Sequence, residues 1–251
     1  MSDPRLEIIG KRLEKVGRIV AVSSGKGGVG KSVVASALAL ALRDRGHRVG
    51  LFDLDFTSPA THVILGVGDL FPKEEHGIIP PLAHGLRYMS ITYYALDKPA
   101  PLRGSDVSDA IIEILAITRW EELDYLVVDM PPGIGDATLD VLRLVEGISF
   151  LVVTTPSRVA FETVKKLLTL LKELGIPTIG VVENMVMESS SPIREQVEQL
   201  GQNYLGTVRL DPGLEGALGD VNKLMGTAFA KAVTEITSEV ERRLQSETTN
   251  L

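Results

Sequence analysis

The 251-residue sequence contains no cysteine, and this absence excludes several kinds of chemistry. Disulfide bonds, thiolate metal sites and cysteine nucleophiles all require a side chain that the sequence lacks. Long apolar segments are also missing, because no uninterrupted run is long enough to cross a bilayer. Charges at Arg5, Glu7 and Lys11 interrupt the first residues, which is untypical of a signal peptide. We therefore expect a cytoplasmic protein.

Positive charge is in deficit, since the net charge is −7. Binding to duplex nucleic acid requires a positive surface, so we expect no nucleic-acid partner. Hydrophobic residues make up 44% of the chain and charged residues 24%, a balance that is typical of a folded globular protein rather than a disordered one. The length is compatible with one α/β domain.

Short β-rich runs alternate with longer runs of helical periodicity. The predicted strands are apolar and bounded by turn or charged residues: Ile19–Ser24, Val49–Leu54, Tyr125–Asp129, Ile148–Thr154 and Thr178–Glu183. The predicted helices between them are Ser32–Arg45, Ala137–Val145 and Phe161–Leu174. This alternation predicts an α/β fold with a doubly wound, mostly parallel sheet and helices on both faces. A C-terminal helix presents one apolar stripe: Phe229, Val233, Ile236, Val240 and Leu244. The Gly- and Pro-containing stretch Gly66–Pro101 is expected to be irregular.

A glycine-rich motif directly follows the first predicted strand and directly precedes a helix. It fits G-x-x-x-x-G-K-S, and its residues are Gly25, Lys26, Gly27, Gly28, Val29, Gly30, Lys31 and Ser32. Glycines allow the backbone to aim N–H groups at phosphate oxygens, and the following helix adds its positive end. Lys31 is expected to reach the β- and γ-phosphates, and the Ser32 hydroxyl to bind Mg²⁺. The motif therefore predicts ATP or ADP with Mg²⁺ as ligands.

Aspartates end two of the predicted strands. Asp53 and Asp55 close the second strand and point to one side, while Asp129 closes the strand Tyr125–Asp129. Ligands of a doubly wound sheet bind at these strand ends. Carboxylates there suit Mg²⁺ coordination, directly or through water, and orientation of an attacking water. Turn capping explains one such aspartate well but explains three beside a phosphate loop poorly.

The segment Gly-Lys-Gly-Gly-Val-Gly-Lys-Ser resembles the deviant phosphate loop of the Mrp, MinD, ParA and nitrogenase-iron-protein superfamily. In that superfamily the first lysine crosses a dimer interface to the partner's nucleotide, which implies for Lys26 a catalytic role in an ATP-dependent homodimer. The resemblance implies that Asp55 positions the attacking water and that Asp53 lies behind the metal. The segment after Asp129 resembles the second switch of Mrp proteins, with its residues at Pro131, Pro132, Gly133 and Asp136.

Two further positions are candidates for contact with the base. Asn184 follows the strand Thr178–Glu183, and its side-chain amide both donates and accepts, which suits the edge of adenine. Asp211 lies in a later loop that, in the superfamily, closes over the purine. As isolated residues, both are ordinary turn formers.

The resemblance breaks at the metal-carrying motif. Mrp-type iron–sulfur carriers place Cys-x-x-Cys shortly after the segment that matches Glu183–Met185, whereas this chain continues without a thiol. No iron–sulfur cluster is therefore expected on this chain. MinD proteins bind membranes through a basic amphipathic tail, and the segment Ser246–Leu251 lacks that character, so no stable membrane anchor is expected. A cysteine-free Mrp-like ATPase also resembles the Mrp/MinD-type HypB proteins of some archaea, which assist nickel insertion into [NiFe] hydrogenase.

Residues 1–17 form a predicted extension outside the ATPase domain, which spans residues 18–251. Leu6, Ile9, Leu13 and Val16 recur at helical spacing, and Asp3 and Pro4 suit the start of a helix. Such a helix either docks into a client protein or metallochaperone, or packs on the sheet of its own domain. The histidines at 47, 62, 76 and 84 lack metal-ligand spacing, so a nickel site at Glu74–His76 is not indicated.

These observations predict an ATPase that works as a dimeric switch. The main hypothesis is assistance in metal-centre assembly, with nickel insertion into [NiFe] hydrogenase as its specific form. One alternative is an iron–sulfur assembly ATPase that relies on a partner for cysteines. The other is a partitioning or positioning ATPase of ParA or MinD character.

Overall fold

The computed structural model describes residues 4–68, 70–95, 104–187 and 193–248. Its helices are α1 (Pro4–Leu13), α2 (Lys31–Asp44), α3 (Thr61–Leu65), α4 (Thr92–Ala95), α5 (Gly104–Ile117), α6 (Asp136–Leu144), α7 (Arg158–Glu173), α8 (Ile193–Gln199), α9 (Val221–Gly226) and α10 (Ala228–Thr248). Its strands are β1 (Val16–Ser24), β2 (Val49–Asp53), β3 (Lys73–Glu74), β4 (Ile78–Ile79), β5 (Leu82–Ala83), β6 (Leu86–Ser90), β7 (Leu123–Asp129), β8 (Ile148–Thr154), β9 (Thr178–Val186) and β10 (Tyr204–Arg209).

The main sheet has eight strands in the order β10-β9-β8-β1-β7-β2-β6-β5. Every pair in it is parallel except β5–β6, which is antiparallel. Strands β3 and β4 form a separate antiparallel pair. Strand β1, which leads into the glycine-rich motif, therefore lies near the middle of the sheet between β7 and β8. The predicted doubly wound, mostly parallel α/β sheet is confirmed.

Helices cover both faces of the sheet, so the central strands are buried on both sides. One core layer contains apolar residues of α2, α3, α9 and α10, and the other contains those of α1, α5, α6, α7 and α8. The predicted stripe of the C-terminal helix packs into the first layer, with all five residues buried: Phe229, Val233, Ile236, Val240 and Leu244. In the part of the chain that the structure describes, no helix is long and apolar enough for a bilayer crossing.

Helix α1 packs against α5 and contributes to the second core layer. Ile9 is completely buried there, and Leu13 is half-buried at the edge of the same layer. Leu6 and Ile8, in contrast, are 39% and 42% exposed. Val16 belongs to β1 rather than to the helix, because the chain turns after Leu13 and the strand begins three residues earlier than predicted. The proposed helix start at Asp3 lies outside the described residues.

The stretch Gly66–Pro101 is less irregular than predicted. Within its described part, β6 joins the main sheet beside β2, and β3, β4, β5 and α4 form short elements. Strand β6 mixes buried apolar residues with a half-buried arginine, Arg87, so its sequence lacks the continuous apolar character of the other parallel strands. Trp120, the only tryptophan of the chain, is fully buried between α5 and β7, and its ring meets that of Phe52 edge-on at 5.1 Å.

Candidate functional site

The glycine-rich loop connects the end of β1 to the start of α2, as the motif predicts. Gly30 immediately precedes the helix with a φ of 80°, a left-handed conformation that disfavours any other residue. A Cβ at Gly30 would also lie 2.3 Å from the side-chain nitrogen of Asn184. The N-terminal N–H groups of α2 therefore lie at the loop, where they suit an anion.

The beginning of the loop lies tightly against helix α7. A Cβ at Gly25 would lie 2.2 Å from the hydroxyl of Thr163 and 2.6 Å from the backbone of α7, so only glycine fits. The Ser24 hydroxyl donates to the carbonyl of Lys26 at 2.9 Å, and the Gly133 N–H donates to the Ser24 carbonyl at 2.9 Å. The loop is thus tied directly to the segment that follows β7.

Lys31 ends the glycine-rich loop as the first residue of α2, and its ammonium lies near two carboxylates. Its Nζ is 2.5 Å from Oδ1 of Asp129 and 3.7 Å from Oδ2 of Asp55, and all three side chains are almost completely buried. The Lys31 ammonium also lies 3.4 Å from the Ser32 hydroxyl. The chain thus brings one cation and two anions, from α2 and from the ends of β2 and β7, into a group next to the phosphate loop.

Asp129 is fully buried, and burial raises its pKa to about 6, although the Lys31 ammonium opposes that shift. Its second oxygen, Oδ2, is buried and has no hydrogen-bond partner among the described residues. A buried acceptor of this kind beside Ser32 fits a water molecule of a hydrated Mg²⁺ ion. No cluster of three or more His, Asp or Glu side chains within the described ranges is arranged to hold a metal. Mg²⁺ would therefore need Ser32 and phosphate oxygens as its direct ligands.

Asp53 occupies the layer behind these residues. Its Oδ1 accepts the N–H of Asp55 at 3.1 Å, and its Oδ2 accepts the Thr61 hydroxyl at 2.6 Å and the Thr61 N–H at 3.2 Å. Burial raises the pKa of Asp53, whereas these hydrogen bonds lower it. Because protein groups already engage both oxygens, the geometry favours a supporting position over direct coordination of a metal.

The Asp55 carboxylate is held by the loop that follows it. Its Oδ1 accepts the Thr57 hydroxyl at 2.7 Å and the Ser58 N–H at 3.1 Å, while its Oδ2 faces Lys31. The segment between β2 and α3 therefore folds back on the carboxylate of Asp55. This arrangement fixes one oxygen of Asp55 and leaves the other directed towards the lysine of the phosphate loop.

The segment that follows Asp129 reaches the surface within a few residues. Pro131 is buried, Pro132 and Gly133 are half-buried, and Asp136 is exposed at the first position of α6. Gly133 has a φ of 82° and binds the loop through its N–H group, as described above. A structural change at the phosphate loop would therefore act on this segment through the Gly133–Ser24 hydrogen bond.

The two candidates for base contact have different surroundings. Asn184 is buried, and its amide nitrogen donates to the Val29 carbonyl at 2.9 Å, which places it against the phosphate loop. Asp211 lies further along the chain and accepts the N–H of Gly213 at 2.9 Å and of Phe229 at 3.1 Å. These backbone donors lower the pKa of Asp211. Asp211 thus caps the start of α10, and its contact with a purine stays a prediction.

Lys26 is exposed on the loop, and its ammonium forms no ion pair with any residue that the structure describes. Large apolar side chains are exposed in the segments that follow four of the parallel strands: Ile134 after β7, Val159 in the first turn of α7 after β8, Met187 after β9 and Leu210 after β10. Their exposed fractions are 40%, 71%, 77% and 52%. Parallel strands end at one edge of a sheet, so these segments lie towards the edge that carries the phosphate loop, and exposed apolar residues there are typical of an interaction surface.

Thr61 and Tyr88 are neighbours of the site that the sequence patterns did not indicate. Both are fully buried, and the Tyr88 hydroxyl lies 2.9 Å from the Thr61 hydroxyl. No motif contains them, and only the folded chain brings them to Asp53. A threonine at the first position of a short helix carries no sequence signal beyond that of an ordinary helix start.

Comparison with known proteins gives consistent results. A family model of the ParA group, described as NUBPL iron-transfer P-loop NTPase, matches residues 15–244. An iron-sulfur cluster carrier protein of Saccharolobus solfataricus is 39% identical over 215 residues, covering 79% of this chain and 73% of that protein. The cytosolic Fe-S cluster assembly factor Nubp2 homolog 1 of Drosophila yakuba is 33% identical over 256 residues, covering 93% and 98%. Other carrier proteins are longer, and this chain spans 64% of the one from Pseudomonas fragi and 48% of the one from Salmonella typhimurium.

Solved structures agree with the sheet topology. A nucleotide-binding protein of Archaeoglobus fulgidus in complex with ADP has a TM-score of 0.74 and 30% identity, covering 87% of this chain and 92% of that one. The septum site-determining protein MinD of Pyrococcus horikoshii, complexed with Mg-ADP, has a TM-score of 0.66 and 23% identity, covering 89% and 95%. At that identity the likeness to MinD concerns the fold alone.

Proposed function

The chain belongs to the family described as NUBPL iron-transfer P-loop NTPases, and from this premise we propose that it is an ATP-hydrolysing switch that assists iron–sulfur cluster assembly. The observation that carries the proposal is the buried group of Lys31, Asp55 and Asp129 at the end of the phosphate loop. Phosphate chemistry best accounts for the presence of one buried cation and two buried anions at this position.

Each residue of the group has a separate proposed task. The backbone N–H groups of the loop and of the start of α2 bind the phosphates, and Lys31 exchanges its contact with Asp129 for the β- and γ-phosphate oxygens. The free oxygen of Asp55 orients the attacking water, because the other oxygen is fixed by Thr57 and Ser58. Ser32 would hold Mg²⁺ through its hydroxyl and Asp129 would hold it through a water molecule, and the ion would supply positive charge against the phosphates.

The proposed working form is an ATP-dependent homodimer. Lys26 is exposed on the loop, so it is free to reach a nucleotide in a facing subunit. The exposed residues Ile134, Val159, Met187 and Leu210 lie along the same edge and supply apolar area for such a contact. A cation placed against the developing charge on a transferring phosphoryl group stabilises the transition state, as an arginine finger does.

The proposed client process is iron–sulfur cluster assembly rather than nickel insertion. The Saccharolobus carrier protein and the Drosophila assembly factor both carry iron–sulfur names, and this supports the iron–sulfur alternative better than a hydrogenase-specific role. The 251 residues hold no thiolate, so a cluster would be cargo whose cysteine ligands come from a partner protein. Likeness to MinD concerns the fold alone and does not favour a positioning ATPase.

The hydrolysis step is tested with Asp55→Ala. We expect ATP affinity within a few-fold of wild type, because the loop and Lys31 supply most ground-state binding, and a loss of hydrolysis by a factor of about 100 or more. Binding is measured by isothermal titration calorimetry and turnover by phosphate release. An equal loss of affinity and turnover would show that Asp55 binds nucleotide rather than orienting water.

The dimer is tested by sedimentation velocity with ATP and Mg²⁺, using Asp55→Ala to slow hydrolysis. ATP should drive this variant into dimers by thermodynamic linkage, and adding Lys26→Ala should weaken that assembly while monomer affinity for ATP stays within a few-fold. Lys165 is a control, because it lies on α7 and pairs with Glu162 at 2.7 Å, so Lys165→Ala should leave assembly unchanged. A trapped Asp55→Ala protein that remains monomeric at micromolar concentration would refute the sandwich dimer.

The client process is tested by anaerobic reconstitution with iron and sulfide. The chain alone should show no cluster absorption, because it has no thiolate. A cysteine-bearing acceptor protein should receive its cluster faster when the chain and ATP are present, and Lys31→Ala should remove the acceleration. Acceleration of nickel loading, with no effect on cluster transfer, would instead support the hydrogenase hypothesis.

A further inference from the structure

Asp53 joins the two ends of the loop that runs from Asp55 to Thr61. One of its oxygens accepts the N–H of Asp55, and the other accepts both the hydroxyl and the N–H of Thr61. The segment thus leaves β2 and returns to the same carboxylate where α3 begins. Because the loop also carries Thr57 and Ser58, which fix one Asp55 oxygen, the closure by Asp53 sets where the other oxygen lies.

The direction of each hydrogen bond follows from the chemistry of the groups. The Thr61 hydroxyl has one proton, and it is donated to Asp53 at 2.6 Å because a carboxylate only accepts. The Tyr88 hydroxyl, 2.9 Å away, must therefore donate to the Thr61 oxygen. The result is a buried chain from Tyr88 through Thr61 to Asp53, in which every side chain is fully shielded from water.

We propose that Thr61 is a positioning residue for ATP hydrolysis, which holds the Asp55 loop closed through Asp53 and is itself oriented by Tyr88. This role rests on the proposed ATPase function. The side-chain hydrogen bonds of Thr61 go to Asp53 and Tyr88, so Thr61 acts on Asp55 through Asp53. Its hydroxyl keeps the Asp55 oxygen directed towards the reaction centre, so its loss affects turnover rather than binding.

The main variant is Thr61→Val, which keeps the shape of the side chain and removes the hydroxyl. We expect kcat to fall about tenfold, with KM for ATP changed by less than about twofold. Thr61→Ser restores the donor and should recover most of kcat. Tyr88→Phe should lower kcat by about two- to threefold in the wild type and not at all in Thr61→Val, because Tyr88 acts through Thr61.

Thr237→Val is the matched control. Thr237 is also fully buried, and its hydroxyl donates to the Val233 carbonyl at 2.8 Å in α10, far from Asp53 along the chain. The same substitution there should leave kcat unchanged. Urea unfolding of all variants separates a loss of stability from a loss of turnover, and the Thr61→Ser rescue remains informative if Thr61→Val folds poorly.

The outcomes distinguish the positioning role from the ATPase function. Wild-type hydrolysis that is no faster than that of Lys31→Ala refutes the ATPase function and this role with it. Lys31-dependent hydrolysis that survives Thr61→Val unchanged refutes the positioning role alone. Additive losses in Thr61→Val and Tyr88→Phe, or a Thr61→Ser variant as slow as Thr61→Val, also refute it, because both results indicate a merely structural contribution.

Discussion

Replacing Ile9 with alanine tests whether helix α1 belongs to the folded core of the ATPase domain. Ile9 is completely buried among core residues contributed by α5 and its neighbours, whereas the adjacent residue, Ile8, is 42% exposed. The two isoleucines lie in the same helix, and alanine changes the helical propensity of both positions equally. Any difference between Ile9→Ala and Ile8→Ala therefore reports burial alone.

The size of the effect follows from that burial. Deleting a buried isoleucine side chain to alanine costs about 2–5 kcal/mol, and the lower half of that range applies because a terminal helix relaxes more easily than a central one. We therefore expect Ile9→Ala to lower the free energy of unfolding by about 2–3.5 kcal/mol. Ile8→Ala should change it by no more than about 0.5 kcal/mol.

Urea unfolding followed by circular dichroism measures both variants against the wild type, with a common slope as a check on two-state behaviour. Equal unfolding free energies of Ile9→Ala and Ile8→Ala would refute the packing of α1 on α5. In that case helix α1 would be available to a partner, which is one of the two alternatives that the amphipathic pattern of this segment left open. A large difference would leave only the outer face, with Leu6 and Ile8, for a client.

Three further substitutions test other parts of the chain. Lys31→Ala should raise the dissociation constant for ATP by at least about tenfold in calorimetry, because it removes the charged phosphate ligand, and an unchanged affinity would contradict its assignment. Gly10→Ala should raise the free energy of unfolding by about 0.5–1 kcal/mol, because Gly10 lies inside α1 with open space around it, and destabilisation in urea would contradict this. Asp211→Ala should be less stable than wild type near neutral pH. Backbone donors lower the folded-state pKa of Asp211. The contribution of Asp211 to the free energy of unfolding is therefore present above the unfolded-state pKa of about 4 and is lost as the pH falls through the lower folded-state pKa. The difference in urea midpoint between this variant and the wild type should thus disappear in acid. A pH-independent difference would contradict the capping role, and unchanged ATP affinity in this variant would contradict the predicted purine contact.

Most of the central sheet was predictable because its strands are buried on both faces and read as continuous apolar runs. Strand β8 has the predicted bounds, and β2 and β7 differ by only one or two residues at their ends. Strand β6 was not predicted because Arg87 interrupts its apolar pattern. Strand β10 was not predicted because Gly206 weakens its strand character. Local pattern predicts an element well only where burial is uniform.

The residues of the site also differ in how well the sequence predicted their positions. The positions of Lys31, Asp55 and Asp129 were predictable because parallel strands end at one edge of the sheet, which brings residues distant in the chain together. The position of Thr61 was not, because it depends on where the chain returns after β2. The same holds for Asp211, whose carboxylate caps α10 through a backbone that only the folded structure places beside it.

The burial of Trp120 has a practical consequence. It is the only indole in the chain, is fully shielded from water, and has no hydrogen-bond partner for Nε1 among the described residues. Its fluorescence therefore comes from a single, dry environment in the folded protein and shifts to longer wavelength on unfolding. Since the indole ring meets Phe52 edge-on, and Phe52 directly precedes Asp53, the emission also provides an intrinsic optical signal from the strand that ends at Asp53.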